Sequence, residues 1–204
     1  MRLISFDTET TGFKPGQICQ LSYIVEDNGF TEARNHFFTV QSIEPGATKV
    51  HGFTVNRLHD ISQGLTFADH AEIILSDFES ADLLLAHNFS FDRSFLTAEF
   101  YRLGKKLRLG QSLCTMKHFT PICKLPPLKP QQSSALYKYP TLKELSRYLG
   151  ITDKMVSECS EELFRLSGCL EHHDARFDST AVYLIYKKAA ELCLIDTSLA
   201  TGVS

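Results

Sequence analysis

Hydrophobic residues along the chain form two kinds of pattern, short continuous runs and stripes at helical spacing. The runs predict strands at residues 2–7, 17–26, 30–40, 82–86 and 107–115. The stripes predict helices at residues 67–80, 91–103, 141–149, 154–166 and 174–193. Because strands and helices alternate after residue 66, the pattern predicts an α/β domain.

Turn and capping residues mark the ends of these elements. Asp27-Asn28-Gly29 predicts a hairpin turn, and a short helical turn is expected near residues 54–59. Residues 120–140 hold five of the seven prolines and predict an irregular surface loop. The predicted helix N-caps and helix-stopping glycines are Thr66, Ser90, Thr141, Gly104, Gly150 and Gly168.

Length and composition predict one domain with its own core. We expect this domain to cover residues 1–194, followed by a short flexible tail at 195–204. No apolar run approaches the about 18–20 residues of a membrane span, and no signal-peptide pattern precedes the first strand. The six cysteines are scattered without a C-x-x-C pair. These features predict a cytoplasmic protein with reduced thiols and no membrane partner.

Charge is distributed unevenly along the chain. The formal net charge is −3, yet residues 100–143 contain nine Lys or Arg and no Asp or Glu. A basic segment on an acidic body is typical of contact with a phosphate backbone. Lysines of the proline-bearing loop, such as Lys124, Lys129 and Lys138, are candidates for that contact. A merely solvated lysine-rich face, or a surface for a protein partner, is the alternative.

The candidate chemistry begins at Asp7-Thr8-Glu9, directly after the apolar run of the first predicted strand. Alternate residues of a strand project from one face, so the carboxylates of Asp7 and Glu9 are expected side by side. Paired carboxylates repel each other, and a divalent cation with a preference for oxygen ligands, such as Mg²⁺, relieves that repulsion. A solvated strand end running into a turn would give the same short pattern.

Further acidic motifs narrow this choice. Asp92 lies in the predicted first turn of a helix, and His173 and Asp178 flank the start of the last predicted helix. In this order and on these elements, Asp7-x-Glu9, Asp92 and His173-x4-Asp178 resemble the motifs of the DEDDh family of 3′→5′ exonucleases. Further matches, in Lys49–Thr54 and Thr141–Leu145, make the chain similar to the DnaQ-like proofreading branch over roughly residues 2–192.

The resemblance implies a ribonuclease H-like fold, an α/β architecture with a mixed five-stranded sheet flanked by helices. It also implies two divalent cations, Mg²⁺ or Mn²⁺, held by Asp7, Glu9, Asp92 and Asp178. His173 is the implied general base, because an imidazole with a pKa of about 6.5 can accept a proton near neutral pH. The spacing to Asp178 favours His173 over its neighbour His172, and Asp174 is expected to be a helix-start carboxylate.

The resemblance also implies the nucleic-acid contacts and the reaction. The implied contacts to the terminal nucleotide are Thr10, Thr11, Gly12, Phe13, His51 and Phe95. Phe13 stands where relatives often have Leu; its ring could stack on a base or close the core. We expect a 3′→5′ exonuclease that releases nucleoside 5′-monophosphates from DNA, with a DNA polymerase subunit as one partner. The alternatives are an RNA-trimming enzyme of the same fold and a catalytically inert nucleic-acid-binding module.

Overall fold

A mixed five-stranded sheet forms the centre of the molecule. The structure, a computed structural model, describes residues 1–127, 136–166, 170 and 172–195. The strands are β1 (Arg2–Thr10), β2 (Ile18–Asp27), β3 (Phe30–Phe37), β4 (Leu83–Ala86) and β5 (Gln111–Cys114). Their order is β3-β2-β1-β4-β5, in which β1, β2 and β3 pair antiparallel while β4 pairs parallel with both β1 and β5.

Helices cover both faces of this sheet. Those within the described ranges are α1 (Pro45–His51), α2 (Val55–Ser62), α3 (Phe67–Glu79), α4 (Phe89–Arg102), α5 (Thr115–Cys123), α6 (Leu142–Tyr148), α7 (Asp153–Phe164) and α8 (Ala175–Glu191). This arrangement confirms the predicted fold class, a mixed five-stranded sheet flanked by helices. In the described part of the chain, no helix combines the length and the apolar character of a membrane span.

The alternation of side chains along β1 divides the core into two layers. Ile4 and Phe6 join the core that includes the buried residues of α3 and α4, and the Phe6 ring lies 5.0 Å from Phe78 and 5.7 Å from Phe89. Leu3 points to the other face and joins the core built with α5, α6, α7 and α8. Asp7 and Glu9 share the face of Leu3, because their positions differ from it by even numbers. The acidic pair therefore lies on the face that α8 covers.

Several predicted boundaries are confirmed by the hydrogen bonds at helix ends. The Thr141 hydroxyl accepts a hydrogen bond from the Glu144 N–H, and Gly150 follows α6 with φ +74°. The carboxylate of Asp69 accepts hydrogen bonds from the backbone N–H and the hydroxyl of Thr66, which fixes the start of α3. Local capping chemistry therefore sets these helix ends, as the sequence predicts.

Helices α1 and α5 are not predicted from the sequence. The sequence predicts no helix over residues 45–51, since Pro45-Gly46 and His51-Gly52 are typical of loops, but these residues form a seven-residue helix in which only Ala47 is buried. So short a helix leaves almost no apolar periodicity to detect. In α5, Pro121 lies inside the helix, where its ring signals a loop. The prolines of residues 120–140 therefore led to a predicted loop where the last residues of α5 lie.

Two predicted boundaries near α4 and β5 are wrong. Ser90 was expected to cap α4, but Asn88 holds that position with φ 81° and the helix begins at Phe89. The fifth strand was expected over residues 107–115, but only Gln111–Cys114 pairs with the sheet. Its partner β4 has four residues, so residues beyond that length have no strand to pair with.

Other predictions lie partly outside the described residues. Helix α7 ends at Phe164 rather than residue 166, and Gly168, its predicted stop, is outside the described ranges. The same holds for residues 128–135 of the proline-bearing loop and for residues 196–204 of the expected tail. Ile195, the first residue of that tail, is buried against the core on the α8 face.

Candidate active site

Two carboxylates of β1 and one of α8 meet on the same face of the sheet. Asp7 and Glu9 pair across the ladder with Ser22 and Gln20 of β2, and α8 packs over β1 and β2. Asp178 lies in the first turn of α8 and is buried with Glu9. The positive end of the α8 dipole favours a negative charge at that position. The fold therefore brings together acidic groups that are far apart in the sequence.

The fourth carboxylate, Asp92, comes from α4. It lies in the first turn of that helix and is buried. The hydroxyl of Thr8 donates a 2.7 Å hydrogen bond to its Oδ1 atom. Thr8 lies between Asp7 and Glu9 in β1, and its side chain projects from the opposite face of the sheet, the face that α4 covers. The residue that positions Asp92 is therefore adjacent in sequence to both carboxylates of β1. We call Asp7, Glu9, Asp92 and Asp178 together the carboxylate site.

Burial and mutual repulsion disturb the protonation of this site. Burial, followed by the charges of Asp92, Asp178 and Glu9, raises the pKa of Asp7 well above its usual range. The same causes, burial first and then the charge of Asp178, raise the pKa of Glu9 to about 9. Burial also raises the pKa of Asp92 to about 7, although the hydrogen bond from Thr8 opposes that shift. These carboxylates therefore lack a positive partner within the described part of the protein.

The residues before α8 complete the site. His173 is exposed and has φ 68°, and its backbone N–H donates a 3.1 Å hydrogen bond to Oδ2 of Asp178. The ring Nδ1 of His172 lies 3.1 Å from Oδ1 of the same carboxylate. One ligand atom each from Glu9, His173 and Asp178 lie within 4.8 Å of one another. That compact group, found among the described residues, does not include Asp7 or Asp92.

Sequence reasoning missed the hydrogen bonds that hold this segment against the sheet. Gln20, the partner of Glu9 in the ladder, donates from Nε2 to Asp174 at 3.0 Å and accepts from the N–H of Ala175 at 3.2 Å. Asp174 is the N-cap of α8, as predicted, and it also pairs with Arg176. Although burial raises the pKa of Asp174, its hydrogen bonds with Arg176 and Gln20 leave it lowered overall. The charged Asp174 therefore helps to hold the loop that carries both histidines against β2.

The turn after Glu9 is held by its own hydroxyl groups. The Thr10 hydroxyl donates to the Gly12 carbonyl at 2.9 Å, and Thr11 exchanges hydrogen bonds with Gln17. A Cβ atom on Gly12 would overlap the carboxyl group at the end of the exposed Glu44 side chain, so that carboxyl group would have to move aside. These hydroxyls are thus engaged within the turn, and the Thr11 N–H and carbonyl are also paired, with the Gln17 carbonyl and the Glu44 N–H.

Phe13 and His51 lie beside this turn. Phe13 is 74% exposed, so the reading in which its ring closes the core is wrong. His51 accepts a hydrogen bond from the Phe53 N–H at Nδ1 and contacts the Thr10 carbonyl at 3.2 Å through Nε2. Burial, together with the charge of His173, lowers the pKa of His51, which is therefore a neutral Nε2–H donor. His51 thus braces the end of β1 on the side of His173.

Phe95 is not in a position to contact a nucleotide. Its side chain has 0% exposure and packs in the core with the ring of Phe91 at 4.9 Å. The helical spacing that predicts Phe95 on the buried face of α4 is confirmed, whereas the family-based contact is not supported by its position. The remaining predicted contacts, Thr10, Thr11, Gly12, Phe13 and His51, surround one end of β1.

The carboxylate site fits divalent cations on its chemistry. It offers several carboxylate oxygens, which are the ligands that hard ions such as Mg²⁺ and Mn²⁺ prefer. The raised pKa values of Asp7, Glu9 and Asp92 indicate buried like charges that a cation would compensate. The nearby ring of His173 could act as a further ligand or as a base.

A groove of about 880 Å³ opens beside the two histidines. Its walls include His172, His173 and Phe177, together with residues of α7 such as Asp153 and Lys154. The Nε2 atom of His172 lies 3.5 Å from Asp153, so His172 stands between Asp153 and Asp178. The groove beside the two histidines therefore carries both positive and negative side chains.

Comparison with known proteins identifies the family of the chain. The model of the RNase_T family, described as an exonuclease, matches residues 4–154, which is more than half of the chain. The chain is 33% identical over 119 residues to the DNA polymerase III subunit epsilon of Buchnera aphidicola from Acyrthosiphon pisum, and 31% identical over 125 residues to that from Schizaphis graminum. These matches cover 53% and 56% of this chain, and 48% and 52% of the relatives. The chain thus spans about half the length of the curated relatives it matches.

Solved structures share the fold at low identity. A structure of exonuclease I superposes with a TM-score of 0.68 at 19% identity, covering 93% of this chain and 41% of that one. Exonuclease I of E. coli in complex with a dA16 oligonucleotide gives a TM-score of 0.68 at 20% identity, with the same coverage. The sheet order and helical layers of this chain are thus those of the ribonuclease H-like fold. The chain belongs to the DnaQ-like DEDDh branch of the exonuclease family.

Proposed function

We propose that this protein is a metal-dependent 3′→5′ exonuclease that removes nucleoside 5′-monophosphates from the 3′ end of single-stranded or frayed DNA. The observation that carries the proposal is the convergence of Asp7, Glu9, Asp92 and Asp178 with His173 at one end of β1, in a member of an exonuclease family. An inert binding module would have no use for buried carboxylates that repel each other.

Asp7, Glu9, Asp92 and Asp178 would hold two divalent cations. When bound, such ions supply a water nucleophile of lowered pKa and stabilise the charge that develops on the leaving 3′-oxygen. The chain's own contribution is to fix the carboxylates. Thr8 holds Asp92, and the His173 N–H holds Asp178.

His173 is the proposed general base. Its ring is exposed and close to Glu9 and Asp178, so it can take the proton of the attacking water and pass it to solvent. The left-handed backbone at His173, with φ 68°, turns its N–H toward Asp178. The turn at Thr10–Phe13 would hold the terminal nucleotide through backbone groups and through stacking on Phe13.

DNA is the proposed substrate because the curated relatives are DNA polymerase III epsilon subunits, one of the solved neighbours is bound to a dA16 oligonucleotide, and the chain contains the Val50–Thr54 motif. A polymerase subunit is a proposed partner on the same ground. RNA trimming at a 3′ end is the second candidate, since the site acts on a phosphodiester that both nucleic acids share. A cytoplasmic location, with no membrane partner, completes the proposal.

The test uses matched DNA and RNA oligomers of one sequence, labelled at the 5′ end, with Mg²⁺, Mn²⁺ or a chelator. The expected result is a ladder of shortened DNA with release of 5′-monophosphates, dependent on the metal and absent from the Asp7→Asn protein. Faster shortening of the RNA oligomer would establish the second candidate instead. Shortening that persists in the folded Asp7→Asn protein would place the site elsewhere.

A further inference from the structure

The basic segment at residues 100–143 is partly neutralised in the folded protein. Four of its cations pair with carboxylates: Arg102 with Glu99, Lys105 with Glu72, Lys138 with Glu144 and Lys143 with Asp153. Lys138 is therefore compensated, and Lys129 lies outside the described residues. The expectation that the loop lysines contact phosphates consequently loses one of its three residues.

Uncompensated charge remains on Lys124 of the loop, which is exposed, and on three cations closer to α4. Lys106, Arg108 and Lys117 are exposed, and no ion pair joins them to any residue in the described ranges. Arg93 of α4 is also exposed, with no ion pair to a described residue. These four cations surround the outer side of α4 and the edge strand β5.

Two adjoining grooves connect three of these cations, Arg93, Lys106 and Lys117, and Arg108 follows Lys106 two residues farther along the chain. The first, of about 630 Å³, is lined by Arg93 and Lys117 together with hydroxyl residues that include Ser90 and Ser112. The second, of about 470 Å³, is lined by Arg93, Tyr101 and Lys106. Arg93 and Thr97 belong to both linings, so the two grooves lie next to each other along α4. We call this pair of grooves the α4 track.

The α4 track begins close to the carboxylate site. Its first groove includes Phe89 and Ser90, within one helical turn of Asp92. From Ser90 to Tyr101 the track follows α4 for about 16 Å, at about 1.5 Å per residue. No Asp or Glu is among the described residues that line either groove. The track is therefore a path of positive charge that leads away from the site.

The chemistry of the lining suits one occupant, a single nucleic-acid strand. Guanidinium and ammonium groups bind phosphates, and serine or threonine hydroxyls donate to phosphate oxygens without reading the base. Tyr101 is 81% exposed, and an exposed ring offers a face on which a base can stack. Alternating cations, hydroxyls and one aromatic ring fit a sugar-phosphate chain better than a protein surface.

We propose that the α4 track binds the phosphates of the strand upstream of the nucleotide in the carboxylate site. The proposal rests on the proposed function for the identity of that strand. Arg93 and Lys117 hold the phosphates nearest the site, whereas Lys106 and Arg108 hold those farther along. The track supplies affinity without base preference, so it acts on binding rather than on bond cleavage.

The test separates binding from cleavage by measuring anisotropy of labelled oligomers with an Asp7→Asn protein in a chelator. Oligomers of about 4 to about 16 nucleotides span the usual site sizes for single strands. In that background we compare a near pair, Arg93→Ala with Lys117→Ala, and a far pair, Lys106→Ala with Arg108→Ala. The control pair, Arg147→Ala with Lys188→Ala, removes the same charge from α6 and α8.

The expected result is a dependence on oligomer length. The near pair weakens binding of all but the shortest oligomer, and the far pair weakens binding only of the longer ones. Each pair lowers the slope of log K against log salt by about 1.4, at about 0.7 per phosphate contact. Affinities and slopes equal to those of the control pair overturn the proposal.

Failure of this proposal is distinguishable from failure of the proposed function. In the active protein, both pairs should leave hydrolysis of a dinucleotide unchanged while raising KM for long strands. If the enzyme is active and the near-pair variant binds long strands as tightly as the control pair does, the α4 track proposal is wrong and the proposed function stands. A protein that cleaves no oligomer, yet shows the length dependence, has the track without the proposed activity.

Discussion

The Nδ1 atom of His172 lies 3.1 Å from Oδ1 of Asp178, while the neighbouring His173 gives its backbone N–H to Oδ2 of the same carboxylate. Two adjacent histidines therefore serve one acid in different ways. The hydrogen bond with Asp178 raises the pKa of His172 and so favours the protonated ring. His173 keeps an exposed ring beside the carboxylates, which is the arrangement that a base requires.

This division predicts opposite effects for the two substitutions. His173→Ala should lower kcat by about 10²–10⁴-fold, because the base is lost, with little change in stability. His172→Ala should lower kcat less and destabilise the protein, because the ion pair with Asp178 is lost. Steady-state rates and thermal melts measure both effects, with His59→Ala, a change at an exposed histidine, as the control. A larger loss of kcat from His172→Ala would reverse the assignment.

The destabilisation by His172→Ala should depend on pH. Because the folded pKa of His172 is raised above the usual value of about 6.5, its stabilisation is fully present below that value. The stabilisation is lost as pH rises through the folded pKa. The difference in Tm between His172→Ala and the unsubstituted protein should therefore shrink from pH 6 to alkaline pH. A difference that stays constant would show that His172 acts through packing alone.

The raised pKa of Glu9 predicts a second dependence of stability on pH. Its sign is the same as that for His172, although the group is an acid. Its pKa rises from 4.5 unfolded to about 9 folded, so the metal-free folded state binds the extra proton. Stability in a chelator should therefore fall as pH rises from about 4.5 to about 9. Glu9→Gln should flatten this fall, whereas Glu191→Gln, at an exposed position, should not. Added Mg²⁺ should raise the Tm of the unsubstituted protein most at alkaline pH. A stability in the chelator that does not change with pH would contradict the inferred repulsion between Glu9 and the neighbouring carboxylates.

The elements that carry the acidic residues could be predicted from local patterns. An apolar run places Asp7 at the end of the first predicted strand, and in the structure β1 continues through Glu9 to Thr10. Helical periodicity places Asp92 and Asp178 in the first turns of α4 and α8. The same periodicity correctly predicts that Phe95 is buried. For this residue, helical spacing was therefore a better guide than the nucleotide contact implied by the family resemblance. Patterns of this kind arise from contacts between residues close in sequence, and sequence reasoning reads them directly.

The supports of the site could not be predicted in that way. Thr8 and Asp92 are 84 residues apart in the sequence, and Gln20 and Asp174 are 154 apart. No local period records such a pair, since each hydrogen bond exists only once the sheet and both helices are packed. The ion pair of Lys138 with Glu144 is instead local, and it was missed because the sequence was read for charge rather than for pairing.

Gly12 tests how closely a substrate approaches the turn after β1. Gly12→Ala should destabilise the protein by only about 0.5 kcal/mol, because the new methyl group meets the carboxyl end of the exposed Glu44 side chain, which can move aside. Adding Glu44→Ala should restore the stability, since the overlapping group is then gone. If the turn binds the terminal nucleotide through its backbone, as proposed, KM should stay raised in the double variant.

Gly46→Ala is the control for Gly12→Ala, since a Cβ atom there meets only Phe13, at an ordinary 3.7 Å. Its KM and stability should stay close to those of the unsubstituted protein. If KM recovers together with stability in the Gly12→Ala, Glu44→Ala protein, Gly12 has a structural role and does not contact the substrate.

Phe13 gives the last prediction, because its exposed ring lies beside the turn without a place in the core. Phe13→Ala should leave Tm unchanged, since the ring is already 74% exposed. It should weaken substrate binding by about 1–3 kcal/mol, the amount that one base stacked on an aromatic ring contributes. The loss should appear in KM for DNA ending in any of the four bases, because every base has a face that can stack. Phe30→Ala is the matched control, since Phe30 is 83% exposed at the start of β3. Phe30 pairs with the Asp27 end of β2, whereas Glu9 pairs with Gln20 near the other end, so Phe30 is distant from the carboxylate site. Equal KM values for the two variants would show that Phe13 does not touch the terminal nucleotide, whereas a loss confined to one base would indicate a specific contact in place of stacking.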